Sequence, residues 1–150
     1  MYKRQVNGSN GNNNNNMTVK EYVNQVGATS RCGLSSTPLM AAARYEHLQI
    51  VKYLIEQCEA DPNIARSDGQ NALHLAACNN GTNTELIELL LTNMTLDSIN
   101  KKNRYGGFTP LDRAYYNNRS PIRQEIIALL RSKGGKATCY DENGRYVGLL

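Results

Sequence analysis

The sequence predicts an all-α fold in which similar helix–turn–helix units stack side by side. The first observation is internal repetition, because three seven-residue segments align without gaps and start 34 and then 38 residues apart. The second observation is that a nine-residue amphipathic segment follows each of them. Repeats of this period are typical of arrays in which each unit buries the apolar face of its neighbour. The short segments are TPLMAAA (37–43), NALHLAA (71–77) and TPLDRAY (109–115), and the amphipathic ones are LQIVKYLIE (48–56), ELIELLLTN (85–93) and QEIIALLRS (124–132).

Each short segment has the features of a helix start. Thr37 and Thr109 can cap a helix with their hydroxyl oxygens, and Pro38 and Pro110 fit the first helical position. A leucine and a small alanine recur at fixed places, so we expect the leucine in the core and the alanine where helices approach closely. These residues are Leu39, Leu73 and Leu111, and Ala42, Ala76 and Ala114.

The second helix of a unit is expected to have a cap of its own. Thr82 with Glu85 forms a capping-box pattern in the middle unit, and Ser120 with Pro121 is a start signal in the last. Counted between equivalent leucines of the two helices (Leu39 to Leu54, Leu73 to Leu90, Leu111 to Leu130), the link is longer than in the first unit by two residues in the middle unit and by four in the last. We expect these insertions to bulge at one edge of the stack.

The two ends of the chain differ from the repeats. Residues 1–16 form an Asn-rich, low-complexity tail that we expect to be disordered, because it offers little apolar area for burial. Residues 17–30 are predicted to form an N-terminal capping helix, which begins at the capping box of Thr18 and Glu21. Residues 138–150 predict a partial further repeat, or a lid made by Tyr146, Val147, Leu149 and Leu150.

The units resemble ankyrin repeats, whose pattern combines a turn glycine, T-P-L-H-x-A-A and a V-x-x-L-L helix. The turn glycine appears as Gly69 and Gly107, and EADPN (59–63) resembles the G-A-D-x-N that closes a repeat. The resemblance covers about residues 31–137 and implies an ankyrin-repeat solenoid with short hairpin turns. The repeats it implies are 31–66, 67–104 and 105–137.

This sequence departs from the ankyrin pattern at several places. Met40 and Asp112 stand where the pattern has histidine, Asn71 stands where it has threonine, and Tyr115 stands where a small alanine is usual. In the family the histidine is a framework residue, hydrogen-bonded near the start of its helix and to the neighbouring turn. The resemblance implies that role for His74.

A metal site is the alternative interpretation of His74 and Cys78, which share one helix face at a spacing of four. Zinc needs about four ligands, and the other candidates, His47 and Cys58, show no ligand spacing relative to this pair.

The sequence also offers no clear catalytic or phosphate-binding site. Nucleophilic catalysis by Cys78 with His74 would need a third, orienting group, and the sequence indicates none. NRYGGF (103–108) lacks the lysine of a phosphate-binding loop and predicts a turn. We therefore predict no metal, cofactor-binding or catalytic residue, and a protein that is not an enzyme.

Composition and charge bear on the expected cellular location and on the expected class of ligand. No run of eighteen apolar residues suggests a membrane span, the N-terminus lacks the apolar segment of a signal peptide, and the four cysteines show no disulfide spacing. We expect a cytoplasmic monomer, with the nucleus as an alternative location.

The positive charge of the chain is concentrated after residue 100, where there are ten Lys and Arg and four Asp and Glu, in a chain whose net charge is +4. Basic side chains near tyrosines could bind nucleic acid or another acidic ligand, or could simply be solvated.

The resemblance implies a protein–protein interaction module, a scaffold or adaptor that binds its partner through a concave surface and its turn tips. Binding of nucleic acid or an acidic ligand by the basic C-terminal third, or a regulatory or targeting role within a longer multidomain protein, are alternative hypotheses. Tyrosines are the expected hot spots, because a rigid ring with a polar tip binds at little entropic cost. The candidate contact residues are Ser67, Asp68, Gln70, Tyr105 and Phe108 in the turns, and Arg44, Tyr45, Cys78, Asn79, Tyr116 and Asn117 at helix ends.

Overall fold

A computed structural model describes residues 17–27, 35–79, 83–117 and 120–148. These residues contain eight helices, with no β-structure beyond isolated bridges, so the predicted all-α fold is confirmed. The predicted disordered tail, 1–16, lies outside the described residues, and the domain boundaries stay predictions. The helices are α1 (Val19–Val23), α2 (Pro38–Arg44), α3 (Leu48–Glu56), α4 (Ala72–Ala77), α5 (Thr84–Asn93), α6 (Leu96–Ile99), α7 (Pro110–Tyr116) and α8 (Arg123–Ser132).

The helices form two rows, as stacked helical repeats require. The first helices, α2, α4 and α7, pack side by side in one row, and the second helices, α3, α5 and α8, pack in the other. Within each repeat the two helices also pack against each other, in the pairs α2–α3, α4–α5 and α7–α8. The core therefore lies between the rows and continues from repeat to repeat.

The predicted starts of the first helices are confirmed. The side chains of Thr37, Asn71 and Thr109 each accept a hydrogen bond of 3.2 Å from the backbone N–H three residues later. Asn71 can replace threonine here because its side-chain oxygen caps a helix equally well. The recurring leucines and alanines are also buried as expected: Leu39, Leu73, Leu111, Ala42, Ala76 and Ala114.

The predicted caps of the second helices were wrong. Asn83 caps α5, accepting from the N–H of Leu86 at 3.2 Å, so the helix begins one residue later than a Thr82 cap would place it. Asparagine is as good a cap as threonine, and sequence spacing does not choose between adjacent candidates. The position before α8 is Ile122, which makes no side-chain cap, while the carbonyl of Ser120 accepts from Arg123 N–H at 3.3 Å.

Two local features complete the repeats. The short helix α6, capped by Thr95, was not predicted. The turn at residues 103–108 was predicted, and it closes with a 2.9 Å hydrogen bond from the N–H of Asn103 to the carbonyl of Phe108. Gly69 adopts a φ of 82°, and a Cβ there would lie 3.0 Å from the carbonyl oxygen of Lys102. Glycine is therefore required at that turn. The links that were expected to bulge include residues 80–82 and 118–119, which lie outside the described residues.

The N-terminal helix α1 lies against the first repeat. Its capping box forms as predicted between Thr18 and Glu21. Val23 is buried, and the side-chain amide of Asn24 donates to the carbonyl of Glu59 at 3.0 Å and accepts from the N–H of Asp61 at 2.7 Å. These contacts close the side of the first repeat that no other repeat covers.

The C-terminal segment covers part of the third repeat. Tyr140 stacks on Tyr115 with ring centroids 5.3 Å apart, and it pairs with Tyr146 in a bridge like that of Ala65 with Asn71. The ring of Tyr140 therefore covers this part of the third repeat. Tyr146 and Val147, which were expected to form the lid, are largely exposed, and Leu149 and Leu150 lie outside the described residues.

Asp112 ties this segment to the third repeat. Its fully buried carboxylate accepts from the N–H of Thr109 at 2.8 Å and from the N–H groups of Thr138 and Cys139 at 2.9 Å. A charged acceptor is well suited to several converging donors, since such hydrogen bonds are stronger than those between neutral groups.

Replacing Leu73 with alanine should lower the free energy of unfolding by about 2 to 5 kcal/mol, because this fully buried leucine would leave a cavity. Urea denaturation followed by circular dichroism measures the loss. Leu96→Ala is the matched control, since Leu96 is largely exposed and its truncation should cost less than about 1 kcal/mol. Equal losses would show that Leu73 is not a core residue.

The Asp112→Asn variant should lose about 1 to 3 kcal/mol of stability, because an amide NH₂ would replace one acceptor oxygen opposite backbone donors. Asp97→Asn, a substitution at an exposed carboxylate in α6, should change stability by less than about 0.5 kcal/mol. The same denaturation experiment compares them. An unchanged Asp112→Asn protein would contradict the anchoring role.

Candidate protein-binding surface

The C-terminal ends of α2, α4 and α7, the first helix of each repeat, lie in one row. The side-chain amide of Asn79 donates to the carbonyl of Arg44, and that of Asn117 donates to the carbonyl of Asn79. The sequence placed all three residues in the candidate contact set, and the structure brings them together. The two asparagines act here between repeats, because their amides hold the helix ends in register. Asn117 is buried, which favours this supporting role over contact with a partner.

A pocket of about 280 Å³ opens beside this row. It lies among the end of α2, the turn before α4, the end of α4 and the middle of α7. Four of its lining residues were predicted contacts, whereas Arg66, Leu75 and Arg113 were missed. The lining residues are Arg44, Arg66, Gln70, Leu75, Cys78, Asn79 and Arg113.

Arg113 is the most unusual of these side chains. Its Nη2 donates to the Sγ of Cys78 at 2.9 Å, and its buried Nε finds no hydrogen-bond partner among the described residues. Sulfur is a weak acceptor, and an unsatisfied buried donor costs free energy. The pocket therefore holds a permanent positive charge whose hydrogen-bonding capacity is only partly used.

Arg66 and Asp68 form a buried ion pair in the turn before α4. Burial by itself would raise the pKa of Asp68, but hydrogen bonds from Arg66 and from the N–H of Gln70 hold it below its usual value. The carbonyl of Asp68 also accepts from the N–H of Arg104 in the next turn at 2.8 Å. Asp68, a predicted contact, is only 3% exposed and so stabilises the turn. The Arg-x-Asp spacing was the available signal for this pair.

The remaining predicted contacts differ in exposure. Tyr45 and Tyr116, at the ends of the outer two first helices, are 68% and 64% exposed. Tyr105 and Ser67 are also exposed at turn tips. The ring of Phe108 is half-buried, with its centroid 6.4 Å from that of Tyr116. The exposed tyrosines therefore have the accessibility that a binding hot spot needs.

Apart from Arg113, the basic residues of the C-terminal third that the structure describes do not line this pocket. Lys101, Lys102 and Arg104 are exposed around the third turn, apart from the pocket's lining residues. Arg131 lies over the ring of Tyr115, 5.6 Å from its centroid, and its Nη2 donates to the carbonyl of Glu142 at 2.8 Å. The basic third is therefore several separate features rather than one lined groove.

The family follows from comparison with known proteins. A family model described as ankyrin repeats (3 copies) matches residues 9–100 and 58–141, which together cover most of the chain. The chain belongs to the ankyrin-repeat family. Ankyrin repeats are generally non-enzymatic modules for protein interaction, and stacked repeats of this kind present extended binding surfaces.

Two much longer proteins contain a region similar to this ankyrin-repeat chain. The NAD-dependent deacetylase sir2B of Dictyostelium discoideum is 32% identical over 105 residues, which is 70% of this chain and 13% of that protein. The palmitoyltransferase AKR1 of Lachancea kluyveri is 38% identical over 81 residues, 52% of this chain and 11% of that protein. Because the matched share of each relative is so small, the similarity does not extend to the activities in their names.

His74 has the framework role that the ankyrin resemblance implied. Its ring is fully buried, with Nδ1 accepting from the N–H of Asn71 at 3.3 Å and Nε2 lying 3.1 Å from the carbonyl of Phe108 in the next turn. The first contact requires a lone pair on Nδ1 and the second a hydrogen on Nε2, so the two together correspond to the neutral Nε2–H tautomer. Burial is the main cause that lowers the pKa of His74 to about 4.

His74 and Cys78 form hydrogen bonds with different partners. The imidazole bonds within α4 and to the third turn, while the thiol faces Arg113. Within the described ranges no group of three or more His, Cys, Asp or Glu side chains is placed to hold a metal ion. The described helices also include none with the length and apolar character needed to cross a membrane.

His74 should make the ankyrin domain lose stability as the pH falls from about 6.5 to about 4. Its pKa is lower in the folded than in the unfolded chain, so the unfolded chain binds more protons in this window and stability rises with pH. The difference corresponds to a loss on the order of 3 kcal/mol. Urea denaturation at a series of pH values measures it.

The controls are single variants of the two histidines. His74→Gln should remove most of this pH dependence, whereas His47→Gln should keep it, because His47 is exposed. A His74→Gln protein with the slope of the unmodified chain would contradict the assignment. Asp68 titrates at lower pH, since its pKa is held below its usual value, and so contributes outside this window.

Proposed function

We propose that this ankyrin domain is a non-enzymatic scaffold or adaptor that binds a protein partner through the face made by its first helices and turns. The observation that supports it is the pocket among α2, α4 and α7, which lies beside the row of helix ends. Exposed Tyr45 and Tyr116 stand at the two outer ends of that row. This combination of a recess and large exposed rings is typical of binding surfaces.

The proposed contacts divide into two groups. Eight exposed or partly buried side chains would touch the partner directly, while Asp68, Asn79 and Asn117 would hold the surface in shape through their bonds between turns and helix ends. We expect a monomer in the cytoplasm, in keeping with the free thiols of the three described cysteines. The proposed direct contacts are Arg44, Tyr45, Ser67, Gln70, Cys78, Tyr105, Phe108 and Tyr116.

A second candidate is a regulatory or targeting segment of a longer multidomain protein. It is supported by the small share that the matched regions take of both relatives, 13% and 11%. Both proposals use the same binding face. They differ in the role of the domain, which is a scaffold or adaptor in the first and a regulatory or targeting segment of a longer protein in the second. Nucleic-acid binding is less favoured, because the exposed lysines of the C-terminal third lie outside the pocket.

Tyr45→Ala combined with Tyr116→Ala should weaken partner binding by about tenfold or more, because exposed tyrosines that become buried against a partner commonly act as hot spots. Affinity capture from nuclease-treated cell extract, quantified by mass spectrometry, identifies the partner, and titration with the purified partner gives the dissociation constant. Tyr22→Ala combined with Tyr53→Ala is the matched control, since both tyrosines are exposed in α1 and α3.

Equal weakening by the control pair would place binding elsewhere on the domain. Loss of every captured protein after nuclease treatment would favour a nucleic-acid ligand instead. In that case affinity should fall steeply with salt, since phosphate contacts release counterions.

A further inference from the structure

We propose that the pocket beside the helix-end row binds a carboxylate side chain from an acidic segment of a protein partner. This inference rests on the proposed function and adds the chemistry of the partner. It assigns one charged group of the partner to one place on the domain, between Arg44 and Arg113.

The charge of the pocket is the first argument. Three of its seven lining residues are arginines, and none of the seven is acidic. Asp68 neutralises Arg66 through the buried ion pair, which leaves Arg44 and Arg113 without a carboxylate partner among the described salt bridges. Two positive charges in one recess repel each other, and an anion between them would relieve that repulsion.

The hydrogen bonding of Arg113 is the second argument. Its guanidinium remains charged at any physiological pH and offers a planar fork of donors. One donor reaches only the thiol of Cys78, and the buried Nε has no partner among the described residues. A carboxylate matches such a fork with two parallel hydrogen bonds. Because Nε is closed to solvent, a carboxylate would meet the part of the guanidinium that lines the pocket, and it would give that part a stronger acceptor than the thiol of Cys78.

The shape of the pocket favours a peptide over a nucleic acid. Its volume of about 280 Å³ suits one or two side chains. Proteins that bind single strands usually combine a basic groove with aromatic rings on which the bases stack. No aromatic side chain lines this pocket, and the exposed lysines lie apart from it. The pocket thus offers a place for one carboxylate, and its lining holds no aromatic ring on which a base could stack.

Fluorescence anisotropy of the whole chain tests the inference directly. The probe is a short fluorescein-labelled peptide of alternating Glu and Ser, and its control has Gln in place of every Glu. The Glu peptide should bind, and the Gln peptide should bind about tenfold more weakly or worse, because it lacks charge-assisted hydrogen bonds. Equal binding of the two peptides would overturn the inference.

Single arginine variants locate the binding site. Arg44→Gln and Arg113→Gln should each weaken the Glu peptide by about tenfold. Lys133→Gln is the matched control, since it removes the same charge from an exposed position outside the pocket and should change affinity by less than about twofold. Arg44 is exposed, so its variant keeps the test decisive even if Arg113→Gln folds poorly. An equal loss in Lys133→Gln would indicate general charge attraction and overturn the proposal.

The thiol in the pocket gives a second readout. Cys78 is half-exposed, and its alkylation by iodoacetamide can be followed by mass spectrometry beside buried Cys58 as an internal reference. The Glu peptide should slow alkylation of Cys78 about fivefold or more at saturation, in line with mass action at an occupied site. The Gln peptide should not. An unchanged rate with bound Glu peptide would place the peptide elsewhere.

Two further outcomes separate this inference from its alternatives. If oligouridylate displaces the Glu peptide and depends on Arg44 and Arg113 in the same way, the pocket takes nucleic acid and the inference fails. If no Glu peptide binds while a captured protein still depends on Tyr45 and Tyr116, the inference fails and the proposed function stands. Failure of both experiments would reject the proposed function as well.

Discussion

In the second and third repeats, a buried polar side chain at the start of the first helix forms hydrogen bonds to the segment that follows the repeat. His74 approaches the carbonyl of Phe108 in the third turn, and the carboxylate of Asp112 accepts from the N–H groups of Thr138 and Cys139. Burying such groups without partners would be costly, so only one alignment of neighbouring units satisfies them. Apolar burial drives the stacking, and these bonds select its register. A histidine and a carboxylate perform this task with opposite hydrogen-bonding chemistry.

Asparagines provide a second set of links between units. The amide of Asn24 bridges the carbonyl of Glu59 and the N–H of Asp61, and the amide of Asn100 bridges Gly134 and Lys136 with the same distances. An amide side chain can do this because it carries both a donor and an acceptor. The segment after α1 therefore contacts the first repeat in the way that the second repeat contacts the third, which explains how so short a helix can close the array.

The candidate surface depends on residues that do not repeat. Arg44, Arg66 and Arg113 occupy different positions in their repeats, yet they converge on one pocket because the first helices lie side by side. The buried leucines and alanines recur in all three units and say little about a partner. Any specificity for an acidic segment would come from Arg44 and Arg113, because Asp68 neutralises Arg66, and from the exposed tyrosines at the ends of the row.

The amino-acid pattern alone was sufficient for the repeat architecture, the first-helix caps and the buried leucines, because these follow from local spacing and from properties that recur in every unit. The role of His74 was implied by the resemblance to ankyrin repeats, since the other two units have Met40 and Asp112 at this position. It also placed Arg44, Gln70, Cys78 and Asn79 in the contact set. Only the tertiary structure revealed that Asp68 and Asn117 are buried, that Asn83 caps α5, and that Arg113 completes the pocket. These features depend on where side chains from separate repeats point after stacking, and the spacing within one segment carries no information about that direction.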